Sequence, residues 1–399
     1  MRKADAETAA ASGHVVSRRR LLTAAAASTA FAAPMLNFGR FRVFAASERV
    51  YSARAIELVG RSLVIDMLSI LASLSDMFTA AYSSNPQIQD SLAVSDAQIE
   101  KLRLAGVNIY HPAIGLGGYD SALSFVARLN AYAAERPDVF RRITTVADMD
   151  AAKAEGKIGY IVGIQNAQHF RNPDDVNQFY TLGQRVSQLT YNSATLIGAG
   201  ATDRVDGGVT DFGAAIIARM NEVGMAIDVS HCGDRTTLDA FELSKAPVLI
   251  THSNVRSLAG GHPRCKSDEA IRKMAKSGGV MGVTGVRNFV RDREPTTIEH
   301  MLDHFDHVRK LVGVEHVGVG SDMDPDGYDD IPEPAYSRLK SGYKDAYKFR
   351  GKIDTDGFDH PQKIYDLVEG LIRRRYTDAH IELVLGGNFK RALGSIWKA

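Results

Sequence analysis

Cysteine is scarce: only Cys232 and Cys265 occur in 399 residues, without the paired spacing of a zinc finger. Each adjoins a residue of interest, His231 and Arg264, so the pair reads as small residues near a pocket, with a single disulfide left open. Excess charge is missing too. A net charge of +1 gives no footprint for nucleic acid or for an anionic membrane surface. Beyond the first 46 residues no run approaches the roughly 18 apolar residues that a membrane span needs. No Gly-x-Gly-x-x-Gly turn follows the first strand-like run, which argues against an open dinucleotide-binding sheet. Beyond those first 46 residues, low-complexity tracts and internal repeats are also absent.

The amino-terminal stretch reads as an export signal. Ser17-Arg-Arg-Arg-Leu-Leu22 precedes the weakly apolar Thr23 to Ala33, with small residues suited to cleavage at Ala30-Phe-Ala32 and Val43-Phe-Ala45. Paired arginines before such a segment predict twin-arginine export over residues 1–46 and a periplasmic or secreted location. An uncleaved amphipathic anchor is the alternative.

The chain's 45% hydrophobic content supports one large core, and from residue 47 onward strand-like runs alternate with helical periodicity. Strands are predicted at 62–67, 106–110, 157–164, 186–191, 225–231, 248–252, 279–283 and 316–322. Helices are predicted between them at 96–105, 119–135, 174–181, 211–223, 235–244, 267–276 and 297–311. Eight such repeats predict an α/β fold, a single (β/α)8 TIM barrel over residues 47–399. The polar segment 328–358 reads as a loop or lid over the barrel mouth.

Three polar groups stand just after apolar runs: Met225-Ala-Ile-Asp-Val-Ser-His231, Ala246-Pro-Val-Leu-Ile-Thr-His252 and His316-Val-Gly-Val-Gly-Ser-Asp322. Such barrels keep their chemistry at the carboxyl ends of the strands. Two histidines on neighbouring strands suit a divalent metal, and Asp322 suits a further ligand or a general base. His111 follows the second strand and would sit at the mouth. Arg264 reads as a bidentate clamp on a substrate carboxylate or as an ordinary salt bridge. Asn388 reads as a helix cap or as a second substrate contact.

Gly208-Val-Thr-Asp-Phe-Gly213, Gly224-Met-Ala-Ile-Asp-Val-Ser-His231, Ala246-Pro-Val-Leu-Ile-Thr-His-Ser253, His262-Pro-Arg264, Gly278-Gly-Val280, Gly320-Ser-Asp322 and Gly387-Asn-Phe389 resemble the membrane (renal) dipeptidase family, from about Arg61 to the carboxyl terminus. The resemblance implies a zinc-dependent barrel of the metal-dependent hydrolase type, usually dimeric, that hydrolyses dipeptides and accepts a D-residue at the C-terminal position. It implies that His231 and His252 ligate the second zinc, Arg264 grips the substrate carboxylate and Asp322 handles the proton. The first metal site departs from the pattern. Leu68 and Ile70 stand where a histidine and an aspartate are expected, Gln165 where a glutamate bridges both metals, and Tyr191 where a further histidine falls.

Apolar side chains cannot ligate, and two dications need a bridging carboxylate between them. The expectation is therefore one metal, as Zn2+, on His231, His252 and one of Asp322, Gln165, His111 or His169. Tyr191 would stabilise the oxyanion of a small, dipeptide-like substrate. Two other readings stay open: a metal-independent lyase or isomerase on the same fold, and a binding protein without catalysis.

Overall fold

The computed structural model describes residues 39–43, 49–69, 71, 94–115, 117–323 and 325–398. The expected export signal lies outside them except for 39–43, where Arg40–Phe41 pairs antiparallel with Tyr51–Ser52.

Eight short parallel strands form the frame. They are β1 (Ile65–Asp66), β2 (Ile109–Tyr110, resumed at Ala113–Ile114), β3 (Ile158–Tyr160, resumed at Val162–Ile164), β4 (Gln184–Gln188), β5 (Ala226–Asp228), β6 (Val248–Ser253), β7 (Met281–Val283) and β8 (Val317–Val319). Each neighbours the next, and Val319 of β8 pairs Asp66 of β1. The two halves of β3 pair β2 on one side, and its second half pairs β4 on the other, so the sheet closes on itself. All eight predicted strands are present, most at shorter spans, with Gln184–Gln188 starting two residues early and Val248–Ser253 one residue longer than predicted.

Seven predicted helices lie within a residue or two of their expected bounds, several opened by capping side chains. Thr210, for example, accepts from Gly213 N ahead of Asp211–Val223, and Ser267 accepts from Ala270 N ahead of Asp268–Lys276. Inward side chains of β1 to β7, among them Ile65, Ile109, Ile161 and Leu249, share one buried cluster with Phe389 and Trp397. Helix Asn388–Ile396 thereby closes the floor of the barrel.

The segment 328–358, expected as a loop or lid, is structured. It contains a helix at Ala335–Ser341 and a turn at Asp345–Tyr347, and Tyr347 and Ile353 pack on Val286 and Phe289 of the barrel side. Arg287, buried, ties it down through the carbonyl of Asp354 and the carboxylate of Asp356. No helix among the described residues is long and apolar enough to cross a membrane. Cys232 and Cys265 are both free and buried, so no disulfide joins them.

Candidate active site

Asp228, at the end of β5, anchors the site. Its Oδ1 accepts from the backbone and hydroxyl of Ser230 and from Thr251 N, and its Oδ2 accepts from Thr251 Oγ1 at 2.8 Å. With its proton spent on Asp228, Thr251 Oγ1 accepts from His252 Nδ1 at 2.8 Å. That places the His252 proton on Nδ1 and leaves a lone pair on Nε2. His231 is set in the same way. Its Nδ1 lies 2.7 Å from Asn192 Oδ1, which only accepts, so its Nε2 is bare as well.

The two bare nitrogens face each other at 2.9 Å, both residues buried. Two lone pairs at that distance repel unless a cation lies between them. Burial, and next the charge of Arg264, push both imidazoles well below the ordinary histidine range. They are neutral at pH 7, the form that ligates metal. The chemistry of these donors therefore fits one divalent cation.

Asp322 follows β8 with φ +56°, a left-handed conformation that Asp and Asn tolerate better than other side chains. Its backbone N–H donates to Leu68 O at 2.8 Å, and Tyr328 bonds the carboxylate. Burial, with Asp66 close by, pushes the acid up to about 7 against the pull of Arg264. Asp322, Gln165, Leu68, Ser69, Met323 and Tyr328 line a cavity of about 40 Å³ where the expected first metal would lie. Leu68 is buried in that wall, Gln165 Nε2 is committed to Ala113 O, and Ile70 lies outside the described residues. These residues do not fit a second metal. No three His, Cys, Asp or Glu side chains converge on one point among the described residues.

The remaining candidates fall in different places. His111 Nδ1 donates to Met67 O at 2.6 Å, and its buried Nε2 has no partner. That nitrogen lies over Gly163 so closely that a Cβ there would come within 1.8 Å, so glycine makes room for the ring. His111 does not join the histidine pair in a ligand cluster. His169 is turned away, bonded to Gln184 and packed on Phe170 and Phe179.

Arg264 is fully buried, and no carboxylate forms an ion pair with it among the described residues. Its two terminal nitrogens bond Ser230 O and His252 O, and its Nε has no partner. Each terminal nitrogen thus spends one of its two N–H groups on a carbonyl at the end of β5 or β6, and the remaining donors, Nε–H among them, are left for another acceptor. The expected substrate contact of Asn388 is corrected. Its amide donates to Val314 O and Val317 O at the amino end of β8, so it belongs to the barrel floor and cannot touch a substrate at the mouth.

Tyr191 stacks on His231, ring centroids 4.2 Å apart, and its hydroxyl lies 2.9 Å from that of Tyr343 on the segment 328–358. Gly115 leaves space for the ring, since a Cβ there would sit 2.4 Å from it. Sequence reasoning missed Asp228, Thr251, Asn192 and Tyr343. The first two had a visible signal: an acid three residues before His231 and a hydroxyl just before His252.

The chain is similar to known proteins in sequence and in fold. The family model for membrane dipeptidase (peptidase family M19) matches residues 53–339. Dipeptidase verJ of Clonostachys rogersoniana is 29% identical over 308 residues, covering 76% of this chain and 68% of that protein. The uncharacterized dipeptidase C965.12 of Schizosaccharomyces pombe is 31% identical over 258 residues, covering 62% of this chain and only 54% of its own length. An amidohydrolase structure from Pseudomonas aeruginosa matches at 28% identity and a TM-score of 0.72, over 86% of this chain and 99% of that one. A metallopeptidase from Rhodobacter sphaeroides, solved with a phosphinate mimic of L-Ala-D-Ala, shares the fold at 19% identity and a TM-score of 0.67, over 84% of this chain and 100% of its own.

Proposed function

The chain belongs to the membrane dipeptidase family, peptidase family M19, and on that premise we propose an exported hydrolase that cleaves the amide bond of a small, carboxylate-bearing, dipeptide-like substrate with one metal. Metal dependence, generally on zinc, is a property of the family. The single-metal reading is carried by one observation: hydrogen bonds donated by the Nδ1 atoms of His231 and His252 to Asn192 and Thr251 turn two bare imidazole nitrogens toward each other at 2.9 Å, while Leu68 and Gln165 occupy the expected first site.

A divalent cation held by Nε2 of His231 and His252 would supply Lewis-acid activation of water and of the scissile carbonyl. The chain's own groups do the rest. Asp322 takes the proton of the attacking water and returns it to the departing amine. The Tyr191 hydroxyl donates to the oxygen that gains charge. Arg264 presents a buried positive charge and a free Nε–H to the substrate carboxylate, and that carboxylate supplies the anion this guanidinium lacks within the protein.

Metal analysis of protein purified without chelators tests this reading. One equivalent per chain is expected. Two equivalents would overturn the single site, and none would move the reading to metal-free acid–base chemistry. Because both histidines are held well below the usual range, the metal is expected to stay bound as pH falls through about 6.5, where an ordinary histidine protonates. Release at or above that pH would count against the assigned ligands.

A further inference from the structure

We propose that Tyr343, on the segment 328–358, is a positioning residue: its hydroxyl, hydrogen-bonded to that of Tyr191, fixes where the Tyr191 hydroxyl stands against the histidine pair. This inference rests on the hydrolase reading above and adds that segment to the catalytic apparatus.

Two phenols 2.9 Å apart share one hydrogen bond and own two protons. One proton lies between the oxygens, and the other points elsewhere. Neither hydroxyl has another protein partner among the described residues. The oxygen that accepts therefore keeps a proton for an external acceptor, and accepting makes that proton a better donor. Tyr191 is the partner set against the histidines, because its ring lies on His231. Burial raises both tyrosines above their ordinary range, so both stay protonated at neutral pH and remain donors.

The segment 328–358 holds Tyr343 in position. Tyr343 packs on Tyr347, ring centroids 4.5 Å apart, and the Tyr347 carbonyl accepts from His262 and Asn288 of the barrel side. The next residue, Lys344, pairs with Asp203 on the same loop that carries Tyr191 and Asn192. The seating of this segment and the placement of the Tyr191 hydroxyl are thus one arrangement. A segment that merely covered the mouth would have no need of a hydroxyl at residue 343.

The test uses the full metal-loaded chain with L-Ala-D-Ala as substrate and its phosphinate mimic as a transition-state probe. Tyr343→Phe removes one oxygen and keeps the ring. It is expected to lower kcat about tenfold, leave KM within about twofold, and weaken the phosphinate by a similar factor to kcat, with metal content and Tm unchanged. Tyr191→Phe is expected to cost about 10²–10³ in kcat, the range for loss of an oxyanion donor. The double variant should be no worse than Tyr191→Phe alone, because Tyr343 acts only through Tyr191. An unchanged kcat in Tyr343→Phe, or losses that multiply in the double variant, would overturn the inference while the hydrolase reading stands. A wild-type chain that neither cleaves the dipeptide nor binds the phosphinate would remove both.

Discussion

His252→Ala is expected to lose its metal and its turnover together. His252 supplies one of two converging nitrogens, and no third His, Cys, Asp or Glu stands ready to replace it among the described residues. A lone imidazole on His231 is a weak divalent site, so affinity should fall by well beyond the roughly 10–100-fold that loss of an outer partner costs. The outer partners supply that smaller step for comparison. Thr251→Val leaves His252 Nδ1 without its acceptor, and Asn192→Ala does the same to His231. Each is expected to weaken metal binding by about 10–100-fold and to keep residual activity at high metal concentration. Metal content and dipeptide hydrolysis, measured on the same preparations, check the order. A His252→Ala protein with a full equivalent of metal and wild-type turnover would sink the assignment.

The barrel was legible in the chain because buried parallel strands leave a continuous apolar trace. Val248 to Ile250 and Val317 to Val319 announce themselves without any knowledge of their neighbours. The residue that ends such a run must lie at the mouth, which made His231, His252 and Asp322 visible. What the chain could not display is which atom each side chain presents. The bare Nε2 on His252 depends on a proton that Thr251 has already given to Asp228, twenty-three residues away. Arg264 was legible as a cation near the mouth, yet its terminal nitrogens end on two strand-end carbonyls that no side-chain pattern marks. Asn388 misled for a related reason. A polar residue after two glycines looks the same at either end of a barrel, and only the packing of Phe389 into the floor decides which end it is. Tyr343 lay 152 residues from its partner, in a segment whose Tyr, Lys and Asp content read as an irregular surface.

Asp322→Asn is expected to keep the metal and lose the chemistry, a fall of about 10²–10⁴ in kcat, the usual contribution of a general base. Asparagine keeps the size of the side chain and tolerates the left-handed backbone at φ +56°, so the loss reports the carboxylate and not a rebuilt loop. The pH profile separates the role further. Burial and the nearby Asp66 push Asp322 up to about 7, and a cation bound beside it would draw that value down. As the base, Asp322 must be ionised, so kcat/KM should rise with pH along a single limb centred at or below about 7. Stability should run the other way. An acid whose value is raised on folding binds more protons in the native state than in the unfolded chain between about pH 4 and 7. Its contribution is complete below that window and is lost as pH rises through it, to the extent of a few kcal/mol at most in metal-free protein. Asp322→Asn should remove the activity limb and reduce that slope to the share of Asp66, which burial pushes up to about 6, as read by rate profiles and by denaturant unfolding at pH 5 and pH 8. Loss of activity with both pH dependences intact would assign the proton to another group.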